Sequence, residues 1–136
     1  MKESINALII DDDSDDQEIF LMCLKSVSED IVCRTANNGI DAIDMFESQT
    51  GYIPDYIFLD VNMPKMNGIE CLSHLRKIEL LRKTKIFMYS TTSENTVVGE
   101  SINLGAEGFL IKPAKPSVLR EKLAKIFNVA WDETSL

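Results

Sequence analysis

The sequence predicts an α/β fold, a doubly wound parallel sheet of five strands with helices on both faces, and two observations predict it. Five short, mostly apolar runs recur along the 136 residues, with little of the polar alternation of a half-solvated strand. An amphipathic stretch follows each run, its apolar residues spaced for one face of a helix. Strand and helix alternate five times without a break, the pattern of a parallel sheet covered on both sides.

Taken in order, Leu8-Ile9-Ile10 forms the first run and ends abruptly in Asp11-Asp12-Asp13. Ser14 stands three residues before Gln17, a capping-box spacing that starts a helix. That helix is expected to bury Ile19, Phe20, Cys23, Leu24 and Val27. Ile31 to Thr35 reads as the second strand, and Asn38 can cap a helix with Ile40, Ile43 and Phe46 inward. Tyr56-Ile57-Phe58-Leu59 is the third strand and again ends in an acid, Asp60. A loop with Pro64 and Gly68 leads to a helix with Ile69, Leu72 and Leu75 inward. Lys85 to Tyr89 is the fourth strand, running into Ser90-Thr91-Thr92-Ser93. A short helix with Val97, Val98 and Ile102 ends at Gly105, and Phe109-Leu110-Ile111 is the fifth strand, closed by Lys112-Pro113. The last helix starts near Pro116 and buries Leu119, Leu123, Ile126 and Phe127. The domain is expected over residues 4–127, with 128–136 as a tail on which Trp131 can pack back.

Composition narrows the function. Against 14 Lys and Arg stand 22 Asp and Glu, a net charge of −8, and a chain this acidic is repelled by a phosphate backbone. No nucleic-acid partner is expected. No apolar run approaches the ~20 residues of a membrane helix, and no signal peptide opens the chain, so a cytoplasmic location without membrane contact is expected. Cys23, Cys33 and Cys71 are odd in number and form no C-x-x-C pair, which fits reduced core thiols. His74 is the single histidine; it excludes a two-histidine metal site and reads as a helix-surface residue. Arg76, Lys77, Arg82, Lys83 and Lys85 cluster and read as a solvated face in preference to a docking site.

Ligands of an open parallel sheet bind outside the carboxyl ends of its strands. The first strand delivers Asp11 and Asp12 there, the third Asp60 with Asn62 two residues on, the fourth Ser90 and the fifth Lys112. Three carboxylates brought together repel, by about 4 kcal/mol per pair at ~4 Å and an effective dielectric of ~20. Such a cluster calls for a cation, and oxygen-rich ligation suits a hard divalent ion such as Mg2+. A lysine and a serine facing that ion can share the oxygens of a phosphoryl group, and a carboxylate beside it is the natural nucleophile. Asp13, Asp15 and Asp16 read as acids favouring the helix N-terminus through its dipole.

The motifs Ile9-Ile10-Asp11-Asp12, Leu59-Asp60-Val61-Asn62-Met63-Pro64 with Gly68, Met88-Tyr89-Ser90 and Gly105 to Pro113 resemble those of the receiver domain of two-component response regulators. The resemblance runs from about Ser4 to Phe127. It implies a flavodoxin-like sheet of order 2-1-3-4-5 and phosphoryl transfer from a sensor histidine kinase or a histidine phosphotransfer protein. By position, Asp60 resembles the phosphoacceptor. Asp12 resembles the direct magnesium ligand, with Asp11 acting directly or through water and Asn62 lending its backbone carbonyl. Ser90 and Lys112 resemble the phosphate-sensing pair, Phe109 the switch aromatic, and the Lys112–Pro113 peptide is expected to be cis.

Thr91 is bulkier than the small residue usual after the switch hydroxyl and can narrow donor access. Asn62 and Thr92 carry no carboxylate to activate a water, which implies moderate to slow dephosphorylation. The expected protein is a stand-alone receiver, a monomer or weak phosphorylation-dependent dimer with an unknown downstream partner. It catalyses only its own phosphorylation and dephosphorylation. Three alternatives stand beside it. A flavin-binding module is disfavoured because Asp11-Asp12-Asp13 would repel a phosphate without metal. An aspartate-nucleophile phosphohydrolase would need a second aspartate at position 62, where this chain has Asn62, and a degenerate receiver would act only as a binding surface.

Overall fold

The computed structural model describes residues 4–48, 51–91 and 94–129; Thr92 and Trp131 lie outside these. Among these residues five strands, β1 (Ile5–Ile10), β2 (Ile31–Ala36), β3 (Tyr56–Asp60), β4 (Lys85–Ser90) and β5 (Gly108–Ile111), alternate with five α-helices. The helices are α1 (Ser14–Val27), α2 (Gly39–Ser48), α3 (Gly68–Arg76), α4 (Asn95–Asn103) and α5 (Pro116–Ile126). All strand pairs are parallel, in the order β2-β1-β3-β4-β5.

The unbroken apolar runs are explained by what lies on either side of them. In β1, Leu8 and Ile10 face one core with Leu72, Leu75 and Met88, while Ala7 and Ile9 face the other with Phe20, Leu24 and Leu119. Helices α2, α3 and α4 cover the first face, and α1 and α5 the second. Phe20 and Phe58, both fully buried, meet with ring centroids 4.8 Å apart and pin α1 to the middle of the sheet. Burying a Phe side chain stabilises by about 1.5–3 kcal/mol.

Several features depart from the sequence expectations. The cap of α1 is Asp13, not Ser14: its carboxylate accepts the backbone N–H groups of Asp15 at 2.9 Å and Asp16 at 3.3 Å. Gln17 turns inward instead and donates to the Asp11 carbonyl at 2.6 Å and to Asn37. Ile19, Ile40 and Ile102 are exposed rather than buried, because each lies at the border of its helix's apolar stripe and a helix on one sheet face buries only the centre of that stripe. The Lys112–Pro113 peptide is trans; the two isomers of a prolyl bond differ by only about 0.5–1 kcal/mol. Asn38 does cap α2, accepting the Asp41 N–H at 2.8 Å. His74 is exposed.

Candidate functional site

Register alone gathers the polar strand ends. Ile10 pairs with Leu59, so Asp11 and Asp60 leave neighbouring strands at the same level. Asp60 pairs with Tyr89 and Ser90 with Ile111, and the Lys112 N–H donates to the Ser90 carbonyl at 2.7 Å. Asp11, Asp12, Asp60, Ser90 and Lys112 therefore share one edge of the sheet.

Burial distinguishes them. Asp11, Asp60 and Ser90 are buried, whereas Asp12 and Asn62 are exposed. Asp11, Asp12 and Asp60 each offer a carboxylate oxygen within 4.8 Å of the others. Backbone N–H groups steady two of them: Asp13 donates to Asp11 at 3.0 Å and Asn62 to Asp60 at 3.3 Å. Lys112 faces the cluster, its Nζ donating to Asp11 and Asp16, each at 2.8 Å, with Asp60 Oδ2 at 3.7 Å. The Tyr89 ring lies 5.1 Å from that ammonium.

The acid is crowded. Burial pushes the Asp60 carboxyl up to about 7. The charges of Asp11 and Asp12 push the same way, against the lowering pull of Lys112 and the Asn62 N–H. Burial also disfavours the Lys112 ammonium, but its bonds to Asp11 and Asp16 and the charge of Asp60 outweigh that and hold it above the usual lysine range. One ammonium thus leaves the carboxylates short of positive charge. Two buried carboxylates and one exposed one fit a hard divalent cation with positions left open to water.

Gly68 makes this geometry possible. A Cβ there would stand 2.2 Å from the Asp60 carbonyl oxygen and 2.7 Å from the Val61 Cα. The start of α3 thus packs directly on the backbone that carries Asp60, and the Gly68 N–H donates to the Val61 carbonyl at 2.8 Å.

Two residues here have parts that sequence reasoning did not assign. Asp16 is an anchor for Lys112, not merely a dipole-favouring acid. The signal was present: Asp16 lies four residues before Phe20 and seven before Cys23, on the stripe α1 turns to the core. Tyr89 under Lys112 is the second. Phe109 is half-buried against the face covered by α2, α3 and α4.

Comparison with known proteins bears on what this edge is for. The family profile of the response regulator receiver domain matches residues 7–124. The chain belongs to the response regulator receiver family. It is 32% identical over 115 residues to the chemotaxis protein CheY of Thermotoga maritima, covering 82% of this chain and 92% of that one. It is 39% identical over 101 residues to the nitrate/nitrite response regulator NarL of Escherichia coli, covering 74% of this chain and 44% of that longer protein. The chemotaxis response regulator CheY4 of Vibrio cholerae superposes with a TM-score of 0.77 at 28% identity, over 90% of this chain and 98% of that one. Receiver domains of this type belong to two-component signalling, accept phosphoryl groups from histidine kinases and bind Mg2+ at an aspartate cluster. Among the described residues, Asp11, Asp12 and Asp60 form one such group, and no helix is long and apolar enough to cross a membrane.

Proposed function

We propose that this chain is a magnesium-dependent, reversibly phosphorylated switch whose phosphoacceptor is Asp60. The reading is carried by one observation: Asp11, Asp12 and Asp60 place carboxylate oxygens within 4.8 Å of one another, beside an ammonium 3.7 Å from Asp60. The donor is a phosphohistidine of a sensor histidine kinase or a histidine phosphotransfer protein. A carboxylate oxygen of Asp60 attacks phosphorus, the P–N bond to the imidazole breaks, and the histidine leaves with the bonding pair. Asp11, Asp12, Asp60 and the Asn62 carbonyl would hold the ion, which when bound supplies positive charge toward the phosphoryl oxygens. Lys112 and the Ser90 hydroxyl meet the remaining oxygens by charge-assisted hydrogen bonds.

Ser90 moving toward the phosphoryl group opens space for Phe109, so the face around 97–104 and 109–111 changes on activation and binds a downstream protein or a second copy. The switch domain spans 4–127 and works in the cytoplasm as an effector or a relay intermediate. It turns over no substrate beyond its own phosphoryl group. Intact-mass spectrometry after acetyl phosphate and Mg2+ tests the chemistry. One added phosphoryl group, absent in Asp60→Asn, is expected; no gain in the unmodified chain would sink the reading.

A further inference from the structure

Lys112 is spoken for before any phosphoryl group arrives. Its ammonium has three N–H donors, and two of them are given to Asp11 and Asp16 at 2.8 Å each. Asp60, at 3.7 Å, lies beyond hydrogen-bond reach of the same nitrogen. The lysine side chain is 11% exposed, so water replaces a lost partner poorly, whereas Asp16 is 35% exposed and Asp11 is fully buried. The Asp16 backbone N–H is tied to the Asp13 cap, and the Tyr89 ring bounds the ammonium on another side.

We propose that Asp16 is a positioning residue that competes with the phosphoryl group for Lys112 and thereby sets how readily the phosphorylated state forms. This rests on Asp60 being the phosphoacceptor. When the anion forms on Asp60, the third N–H of the ammonium can meet it only if the nitrogen moves toward Asp60, now 3.7 Å away, and that movement loosens one of the two existing bonds. Asp11 has no solvent to turn to, and Asp16 has. The Asp16–Lys112 bond is therefore the one given up, and its loss counts against the phosphorylated state. Asp16 acts only through Lys112; it touches no reacting atom.

Beryllium fluoride with Mg2+, a phosphoryl mimic, gives the test by isothermal titration. Asp16→Asn keeps the shape and removes the charge. It should bind the mimic about three- to tenfold more tightly, the range expected from releasing a partly exposed charged hydrogen bond. General damage to the fold would weaken binding instead. Asp15→Asn is the control, since Asp15 is exposed on the same helical turn and carries the same charge; it should bind as the unmodified chain does. Unchanged or weaker binding by Asp16→Asn overturns the proposal. Equal tightening in both variants also overturns it, because the effect would then be plain repulsion of the anion. Asp60→Asn separates the underlying reading: if that variant still binds the mimic as tightly, Asp60 is not the acceptor, whatever Asp16 does.

Discussion

Replacing Asp60 by asparagine should stabilise the metal-free protein, and the gain should depend on pH. The Asp60 carboxyl is raised from 3.8 to about 7, by burial first and by Asp11 and Asp12 next, against Lys112 and the Asn62 N–H. An acid whose folded-state pKa is raised contributes its stability fully below the unfolded value, near pH 4. That contribution is lost as pH climbs from about 4 to about 7, and the loss is complete above. At 1.36 kcal/mol per unit the shift is worth on the order of 4 kcal/mol. Asparagine does not ionise, so its variant escapes the loss. Titrating groups away from the Asp60 cluster cancel in the difference between the two proteins.

Thermal melts in EDTA from pH 4 to pH 8 read this directly. For a chain of this length each kcal/mol moves the midpoint by about 3–4 °C, so Asp60→Asn should melt on the order of 10 °C higher at pH 8 and about level with the unmodified chain near pH 4. Saturating Mg2+ should close the gap from the other side. An ion held only by the folded protein stabilises it by about 2.7 kcal/mol at a hundred times Kd, and the variant lacks one of its ligands. If Asp60→Asn melts no higher than the unmodified chain at pH 8 without metal, the carboxylates do not crowd one another. If it melts higher by the same amount at every pH, the gain does not come from the ionisation of Asp60.

Gly68→Ala should cost about 3 kcal/mol in urea unfolding and abolish phosphoryl uptake, because the new methyl meets backbone atoms of Asp60 and Val61 that have no rotamer to turn to; near-normal stability would show that α3 does not pack as described. Arg76→Lys should destabilise by about 2–3 kcal/mol, since the planar guanidinium donates to the carbonyls of Gly105, Leu81 and Thr84 at 2.9, 3.0 and 2.8 Å and an ammonium does not reproduce that fork. Faster hydrogen exchange around residues 104–107 should accompany the loss, and unchanged protection there would show that the fork does not anchor the loop after α4.

Arg76 also marks where sequence reasoning stops. The residue pattern groups it with Lys77, Arg82, Lys83 and Lys85 as a solvated face, and those four are exposed. Arg76 instead ties the end of α3 to the loop that closes α4, where Gly105 turns with φ +102°. Its partners are main-chain carbonyls, which any sequence supplies, so nothing in the residue pattern points to them. The strands and their order of polar ends were legible for the opposite reason: a strand buried on both faces leaves an apolar run, and the first acid or lysine after it must stand at the sheet edge. The same logic separates the acids at the start of α1, which composition treats alike. Asp11 continues the strand and stays buried, and Asp12 is the exposed member of the carboxylate group. Asp13 is the last extended residue and caps the helix. Asp16, about one turn on, comes round to the core-facing stripe and meets Lys112. A run of like charges thus divides its tasks by backbone angle, with each side chain aimed by whether its residue is strand end, cap or helical turn. The helical period alone distinguishes Asp16 from Asp15, which is why the pair serves as perturbation and control.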